Sequence, residues 1–204
     1  SVTGETFVDV GPTLGGWGAG FDRDGDSAQF CTGDGETYNI PAEVLEAKFG
    51  YRVTEYSLNT TDAGAGEHRG GYGIILGHEA LNDDMTFSGT YGRFEYPAWG
   101  FNGGKQGAPS GFDFLLKNGT HVPLRGTGSK IEMHKGDVAR MVTGTGGGYG
   151  NPLARPAEKV AMDAKNEYVS IDAAEKIYGV LLEPETFAIL GVTDERKKFS
   201  EKAS

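Results

Sequence analysis

The residues best placed to do chemistry lie in one glycine-rich segment, residues 62–71, which reads DAGAGEHRGG. It brings together a carboxylate (Asp62), an imidazole (His68) and a guanidinium (Arg69). Glycines on both sides allow a ligand or another chain to approach the backbone, and arginine can bind a carboxylate or phosphate through two parallel hydrogen bonds. We take Arg69, His68 and Asp62 as candidate catalytic residues. The alternative is a structural arginine that pairs with Asp62 or Glu67.

Glycine-rich loops also bind nucleotides, but the spacings in this chain do not match the known motifs. In the segment 144–150, Tyr149 stands where G-x-G-x-x-G requires its third glycine. Gly104-Lys105 is followed by Gln106 instead of serine or threonine, so this segment is not a P-loop. We therefore expect no cofactor to bind within this chain.

Metal and nucleophile motifs are incomplete in the same way. Residues 22–27 (DRDGDS) open like a calcium loop, but Gly33 stands where the bidentate glutamate is needed. His78 begins an H-E-x-x-H motif that Asn82 breaks. Cys31 has no basic neighbour to activate its thiol, and we expect it to be a small buried residue. These patterns predict no metal site, although residues from different strands can still meet in space.

The composition excludes several classes of protein. The chain has 204 residues, with 19 Lys+Arg and 29 Asp+Glu, and the resulting net charge of −10 disfavours binding to nucleic acid or anionic membranes. No apolar run approaches the ~20 residues that span a bilayer. We expect no signal peptide and a cytoplasmic location. A chain that starts at Ser1, just before a strand candidate, is expected to be either a separate small subunit or a fragment of a longer polypeptide.

Glycine is the unusual residue, with 34 glycines in 204 residues against an average of roughly 7%. The glycines cluster at 15–20, 64–66, 70–73, 103–104 and 144–150. Apolar and aromatic segments lie between the clusters, and a disordered linker would lack them. The glycine-rich segments are therefore expected to belong to a folded domain.

The pattern of apolar residues predicts strands first and helices last. Strands are expected at 7–10, 51–58, 72–76, 85–91, 131–133 and 138–143, with two more within 112–124. Helices are expected at 41–49, 156–166 and 170–178.

Short turn and capping signals refine this pattern. Asn118-Gly119 between two apolar runs predicts a type I′ hairpin. Ser170 is the expected N-cap of the last helix and Gly179 its C-terminal glycine. The elements predict a glycine-rich, mainly β domain over 1–152 and a helical appendage and tail over 153–204.

Four segments resemble a known family. Residues 62–71 look like its DSGGAGRYRGG segment, and 99–109 (WGFNGGKQGAP) look like its PWGxxGGxxGxP segment. Residues 135–153 are similar to its KGDxxRxxTxGGGGYGDPL block, with Asn151 where aspartate is usual. Residues 163–181 resemble its DVxxGxVSxExAxxxYGVVL ending. On these segments the chain is identified as a member of the hydantoinase B/5-oxoprolinase family.

The resemblance implies a fold and a two-part enzyme. The expected fold is mainly β (α+β), a sheet or barrel-like domain with polyproline-II-like glycine segments and a short C-terminal helical appendage. The family includes N-methylhydantoinase, 5-oxoprolinase, caprolactamase, and acetone and acetophenone carboxylases. A hydantoinase A-like partner would bind ATP and Mg²⁺. A divalent metal would lie on the upstream part of the B-type subunit.

The chain resembles only the later two fifths of a B-type subunit, so the resemblance supplies no metal ligand or catalytic residue here. It implies a small subunit, or C-terminal part, of an ATP-dependent enzyme that hydrolyses a cyclic amide or imide. The expected partners are the ATP-binding subunit, the upstream B-type chain and a small-molecule substrate. One alternative is a subunit of an ATP-dependent ketone carboxylase. Another is a non-catalytic structural subunit.

Overall fold

The computed structural model describes residues 7–30, 33 and 40–203. Within them the helices are α1 (Ala42–Lys48), α2 (Ala157–Lys165), α3 (Ile171–Lys176), α4 (Asp194–Ala203) and a 3-10 helix (Pro152–Ala154). The strands are β1 (Tyr51–Asn59), β2 (Gly73–Ala80), β3 (Met85–Thr90), β4 (Gly111–Leu115), β5 (His121–Leu124), β6 (Thr127–Met133), β7 (Val138–Val142), β8 (Val180–Leu182) and β9 (Ile189–Val192). The chain is mixed α+β, as the sequence predicted.

The largest sheet has five antiparallel strands in the order β1-β2-β7-β4-β5. Its outer strands β1 and β5 do not pair with each other in the described part of the chain. The sheet is therefore open, and the barrel-like expectation is wrong. One physical reason is Pro123 in β5, which has no N–H to donate to a further strand.

One face of this sheet is apolar and packs against the two-stranded ribbon of β3 and β6. Phe112 and Phe114 alternate with polar Asp113 along β4, so both rings point to the same side. Phe87 of β3 meets both rings edge-on, at centroid distances of 5.4 and 5.5 Å. The alternation of β4 thus builds the core between sheet and ribbon.

A row of charged side chains crosses the opposite face. The register aligns Glu55 of β1, Gly77 of β2, Arg140 of β7 and Asp113 of β4. Arg140 reaches across Gly77, and its Nε donates to Glu55 Oε2 at 2.8 Å. A Cβ at Gly77 would already lie 2.7 Å from Thr54 Oγ1. A glycine in the middle of the row therefore keeps the space between the two charges clear.

The hairpin of β4 and β5 confirms the Asn118-Gly119 signal but corrects its turn type. The N–H of Gly119 donates to the carbonyl of Leu116 at 2.8 Å, so Lys117 and Asn118 are the central residues of the turn. Gly119 follows them with φ of 85°. This is a three-residue loop ending in a left-handed glycine, and the predicted type I′ turn is wrong.

Four glycine-rich segments pack directly on each other, and we call them the glycine layer: residues 15–19, 64–73, 98–108 and 144–150. The last segment is central. A Cβ at Gly146 would lie 1.8 Å from the carbonyl oxygen of Trp17, and one at Gly147 would lie 1.9 Å from that of Trp99. The N–H of Gly64 donates to the carbonyl of Gly146 at 2.9 Å. Backbones therefore touch where side chains touch in an ordinary core.

The C-terminal elements pack on this layer. Val160, Ala164, Ala174 and Val180 form a buried cluster that also contains Ala65 of the glycine layer. Contacts therefore cross position 152, and the division into two parts stays a prediction. The N-cap signal is confirmed, because the side chain of Ser170 accepts a hydrogen bond from the N–H of Ala173 at 3.1 Å.

The N-terminal strand prediction is wrong. Residues 7–10 are described but form no strand. Val8 and Val10 are exposed, and the carboxylate of Asp9 accepts a hydrogen bond from the Tyr51 hydroxyl at 2.7 Å. The ring of Phe7 also packs against that of Phe49, at a centroid distance of 5.4 Å. The segment is thus held by side-chain contacts rather than by hydrogen bonds to a neighbouring strand. Cys31 lies outside the described residues. No helix in the described part of the chain combines the length and apolar character that crossing a membrane requires.

Candidate functional site

A buried ionic cluster lies where the glycine layer meets the C-terminal helices. Its members are Asp24, Arg69, Arg155 and Asp163, and we call them the arginine–aspartate cluster. Two arginines face two aspartates, so the formal charges balance. The four residues come from distant parts of the chain: a loop after the first glycine segment, the second glycine segment, the start of the appendage and α2.

The local sequence fixes Arg155 between two helices. Asn151 caps the preceding 3-10 helix, because its side chain accepts from the N–H of Leu153 at 2.9 Å. Asparagine is among the best N-cap residues, so Asn151 is well suited to this position. Pro156 then disfavours a helical conformation for Arg155, whose φ and ψ are −60° and 127°. Arg155 is therefore held in extended backbone with its side chain turned inward.

Arg155 uses every N–H group of its guanidinium. Nη1 and Nη2 donate to the two oxygens of Asp24 at 2.7 and 2.8 Å. Nε and Nη2 donate to Asp163 Oδ2 at 3.0 and 2.8 Å. Nη1 also donates to the carbonyl of Glu67 at 3.0 Å. With 1% of its surface exposed, Arg155 is a structural clamp between the glycine layer and α2.

Arg69 is also buried and engaged. Its Nε lies 3.4 Å from Asp163 Oδ1, and its Nη1 donates to the carbonyl of Gly70 at 3.2 Å. Its guanidinium carbon lies 5.0 Å from the ring centre of Tyr72 and 4.9 Å from that of Tyr168. The expected pairing with Asp62 or Glu67 is wrong, because α2 brings Asp163 closer. In this arrangement the guanidinium of Arg69 is buried, and its Nε and Nη1 are engaged within the chain.

The environment of the cluster shifts the pKa values of two of its members. Burial alone raises the pKa of Asp24, but the hydrogen bonds and positive charge of Arg155 outweigh it, so the pKa lies below its usual value. Hydrogen bonding to Asp24 and the charges of both aspartates raise the pKa of Arg155 despite its burial. Burial raises the pKa of the neighbouring Tyr178 to about 12. At neutral pH the bidentate pair is therefore ionised beside a neutral tyrosine.

His68 lies at the edge of this cluster. Its backbone is held by two hydrogen bonds with Tyr149, at 3.0 and 2.8 Å. Its Nδ1 is buried, lies 3.9 Å from Asp24 Oδ1 and has no hydrogen-bond partner among the described residues. His68 and Arg69, which are adjacent in the sequence, thus lie near Asp24 and Asp163 respectively, and the buried Nδ1 of His68 has no hydrogen-bond partner among the described residues.

Asp62 does not join them. It is exposed, has a left-handed φ of 38°, and its carbonyl accepts from Thr145 Oγ1 at 3.0 Å. In the described part of the chain it makes no ion pair with Arg69 or Arg155.

The structure also contains an open apolar groove of about 570 Å³ between the five-stranded sheet and β3. The rings of Tyr51 and His78 stack at 4.2 Å along its wall. Burial lowers the pKa of His78, and its Nε2 is buried without a hydrogen-bond partner among the described residues. Residues 7–30, 33 and 40–203 contain no group of three or more side chains able to hold a metal ion.

Sequence reasoning missed Arg155, Asp163 and the role of Asp24. The sequence places Asp24 in an incomplete calcium loop, whereas its carboxylate binds Arg155. The sequence does contain one signal near Arg155, the two prolines that flank residues 153–155. They predict a rigid turn, but they do not indicate which residue Arg155 binds.

Comparisons with known proteins give relatives of similar sequence. An uncharacterized protein of Methanocaldococcus jannaschii is 37% identical over 142 residues, 70% of this chain and 25% of that protein. A putative B subunit of the D-/L-hydantoinase of Pseudomonas sp. (strain NS671) is 32% identical over 170 residues, 82% of this chain and 28% of its own. The beta subunit of the caprolactamase of Pseudomonas jessenii is 34% identical over 151 residues, 69% of this chain and 25% of its own.

Two solved structures share the fold. The ATP-dependent caprolactamase from Pseudomonas jessenii superposes with a TM-score of 0.72 and 28% identity, over 94% of this chain and 33% of that chain. The nucleotide-free acetone carboxylase superposes with a TM-score of 0.72 and 20% identity, over 94% of this chain and 29% of that chain. At 20% identity the second likeness shows the fold alone.

This chain spans about a quarter of the length of the relatives that it matches. The family model described as hydantoinase B/oxoprolinase matches residues 2–152, about three quarters of the chain. The match takes in three of the four segments that carry the resemblance, the third of them up to position 152. The chain therefore belongs to the hydantoinase B/oxoprolinase family.

Proposed function

We propose that this chain is part of the B-type subunit of an ATP-dependent enzyme that opens a cyclic amide or imide. The observation that carries the proposal is that two relatives above 30% identity are, by name, a hydantoinase B subunit and a caprolactamase beta subunit. Hydantoins and caprolactam are both cyclic amides. The acetone carboxylase is 20% identical to this chain, so the similarity supports a carboxylase function less strongly than a ring-opening function.

In the proposed reaction a hydantoinase A-like subunit, with ATP and Mg²⁺, phosphorylates the amide oxygen and releases ADP. Water then attacks the activated carbon, and the C–N bond breaks with the ring nitrogen leaving as an amine. A second water hydrolyses the resulting acyl phosphate to a carboxylate and free phosphate. We also propose a cytoplasmic location, because the proposed reaction consumes ATP. We assign ATP to the partner subunit, and any divalent metal to the upstream B-type chain, as the family resemblance implies.

The proposed contribution of this chain is two separate groups, His68 at the edge of the arginine–aspartate cluster and the exposed Asp62. The arginine–aspartate cluster holds the backbone of Arg69, whose N–H donates to Asp24 Oδ1 at 2.8 Å. His68 is thereby held with its Nδ1 3.9 Å from Asp24 Oδ1 and without a hydrogen-bond partner among the described residues. We propose His68 and Asp62 as catalytic candidates and Arg69 as a positioning residue.

The test is to assemble this chain with the ATP-binding subunit and the remainder of the B-type subunit from the same source. Turnover is measured with hydantoin and caprolactam, and separately with acetone plus bicarbonate. ATP-dependent ring opening supports the proposal, whereas turnover that requires a ketone and bicarbonate contradicts it and supports the carboxylase alternative.

Three variants separate catalysis from structure. His68→Gln and Asp62→Asn are expected to lower ring-opening turnover in an intact complex. Asp84→Asn is the control, because Asp84 is exposed and lies in the turn between β2 and β3. If both test variants match the control while the complex stays assembled, this chain is a non-catalytic structural subunit.

We also propose that the segments of the glycine layer run in a polyproline-II-like conformation. In support, they are joined by hydrogen bonds between segments, such as Gly16 N–H to the carbonyl of Gly144 at 3.1 Å and Gly146 N–H to that of Gly71 at 2.8 Å. Polyproline-II segments have no internal hydrogen bonds, and their backbone groups are free to bond outward. Glycine chemical shifts and scalar couplings measured by NMR test this.

A further inference from the structure

Three large aromatic side chains are exposed close together in the segment between β3 and β4. Tyr96, Trp99 and Phe101 are 76%, 70% and 68% exposed. Aromatic side chains dominate the energetics of interfaces, and exposed apolar groups that lie together mark interaction surfaces. Arg93 joins them, because its guanidinium carbon lies 4.9 Å from the ring centre of Trp99. We call these four residues the aromatic surface.

The glycine layer fixes the backbone that carries two of the rings. The N–H of Phe101 donates to the carbonyl of Gly148 at 2.9 Å. Gly100, between Trp99 and Phe101, faces inward, because a Cβ there would lie 2.2 Å from the carbonyl oxygen of Gly104. The two rings therefore stay at the surface although the backbone between them is packed against the layer.

Arg93 is also held in place. Its backbone is left-handed, with a φ of 62°, which costs energy in a residue other than glycine. The buried Ser110 supports this turn, because its hydroxyl donates to the carbonyl of Gly92 and its N–H donates to that of Arg93 at 3.4 Å. Since the guanidinium already lies on the Trp99 ring, the side chain has less freedom to lose when it binds a partner.

The chemistry of Arg93 indicates what the partner carries. The side chain is exposed and makes no ion pair in the part of the chain that the structure describes. Stacking uses the flat face of a guanidinium, whereas its N–H groups lie at the edge and can bind a carboxylate through two parallel hydrogen bonds. Tryptophan, tyrosine and arginine are the residues that most often dominate binding at interfaces. The aromatic surface therefore fits a segment with apolar side chains and a carboxylate.

The relatives indicate where this segment comes from. The chain spans 25–28% of their length, and the caprolactamase structure matches it with only 33% of its own chain. Most of the polypeptide in those proteins therefore lies outside the part that this chain matches. We propose that the remainder of the B-type subunit docks on the aromatic surface, where it covers Trp99 with apolar side chains and places a carboxylate on Arg93. The proposal rests on the proposed function for its partner and adds the docking surface.

The test compares the free chain with a complex purified after co-expression with the remainder of the B-type subunit from the same source. Hydroxyl-radical footprinting, read by mass spectrometry, gives the oxidation rate of individual side chains in both samples. The oxidation rates of Tyr96, Trp99 and Phe101 are expected to fall in the complex. The rate of Leu190, which is 68% exposed on β9, is the internal control and is expected to stay unchanged.

Two variants, each with a matched control, test whether the surface contributes affinity. Trp99→Ala removes the exposed ring and is compared with Leu190→Ala, whereas Arg93→Ala removes the cation and is compared with Arg52→Ala on β1. Each variant is co-expressed in competition with the wild-type chain, and the ratio of the two chains in the purified complex gives the relative affinity. The test variants are expected to bind about tenfold or more weakly, and the controls less than about twofold. Thermal unfolding of the free variants checks their folding, and Phe101→Ala replaces Trp99→Ala if that variant fails to fold.

Several results would overturn the proposal. One is a complex in which the aromatic surface is oxidised as fast as in the free chain, and another is the absence of any complex. Folded test variants that compete as well as the wild type have the same meaning. So does protection that appears only with the ATP-binding subunit, or in a dimer of this chain alone, because the occupant is then a different chain. Ring-opening turnover is assayed separately, so a complex that covers the aromatic surface but opens no cyclic amide contradicts only the proposed function.

Discussion

Arg155 binds both carboxylate oxygens of Asp24, 131 positions earlier in the chain, at 2.7 and 2.8 Å. The same guanidinium binds Asp163 of α2. Arg155 therefore joins the loop after the first glycine segment to the C-terminal helices. The bond to Asp24 has two parallel hydrogen bonds, a strong geometry for an ion pair.

Replacing Arg155 by alanine is expected to lower the free energy of unfolding by about 3–5 kcal/mol, because two aspartates lose their main cation in a buried place. Urea unfolding measures the change. The control is Arg52→Ala, whose arginine is exposed and pairs with Glu79 at 3.5 Å. It is expected to cost at most about 1 kcal/mol. Equal losses for the two variants would show that the cluster carries no special stability.

The depressed pKa of Asp24 predicts a loss of stability in acid. The usual pKa of its carboxyl is 3.8 and the folded value is lower, so its contribution is complete above pH 3.8. The contribution declines as the pH falls through the folded pKa. Asp24→Asn is expected to have a flatter dependence of the urea midpoint on pH in this acid range. A wild-type slope that the substitution leaves unchanged would contradict the assignment.

Neighbouring glycines in the first glycine segment provide a matched pair. A Cβ at Gly16 would lie 2.1 Å from the carbonyl oxygen of Gly71, whereas a Cβ at Gly15 meets nothing within 4 Å. Gly16→Ala is expected to destabilise the chain by about 1–3 kcal/mol or more, because the backbones must separate. Gly15→Ala is expected to be neutral or slightly stabilising. The test compares the midpoints of thermal unfolding of the two variants. Similar midpoints would mean that the first glycine segment is not in contact with the segment that contains Gly71.

Asp137 ties together the two turns at one end of the sheet. Its two side-chain oxygens accept from the N–H groups of Lys117 and His134, both at 2.9 Å. These bonds lower the pKa of the carboxyl although burial raises it. Asp137→Ala is expected to cost about 1.5–3 kcal/mol for each hydrogen bond lost.

Asp84→Ala is the control for this variant, since Asp84 is exposed in the turn before β3. Amide exchange at Lys117 and His134 should rise in the Asp137 variant alone. Unchanged exchange at these two amides would mean that Asp137 does not hold the turns.

Local signals in the sequence predicted local structure well. Pro41 and Gly50 bracket α1, and Ser170 and Gly179 bracket α3, because caps depend on residues within one turn of the helix. The hairpin at Asn118-Gly119 also formed, but with a different turn, since the register of the flanking strands fixes the loop length.

Long-range relationships were not predictable from one sequence. Strand β7 lies between β2 and β4, and nothing local indicates this order. The same holds for Arg69, whose partner Asp163 lies 94 positions away. The resemblance identified the family because its segments are matched in order along the chain. It gave no distances between them.

The stretch 138–150 has a consequence for biosynthesis. Its first part is β7, the middle strand of the five-stranded sheet, and its second part is the central segment of the glycine layer. The ribosome makes this stretch after nearly all the strands and glycine segments that pack around it. The strands and glycine segments synthesised earlier therefore stay incompletely paired until position 150 has left the exit tunnel. A nascent chain halted at position 137 lacks the centre of both assemblies, which makes chaperone binding most needed at that stage of translation.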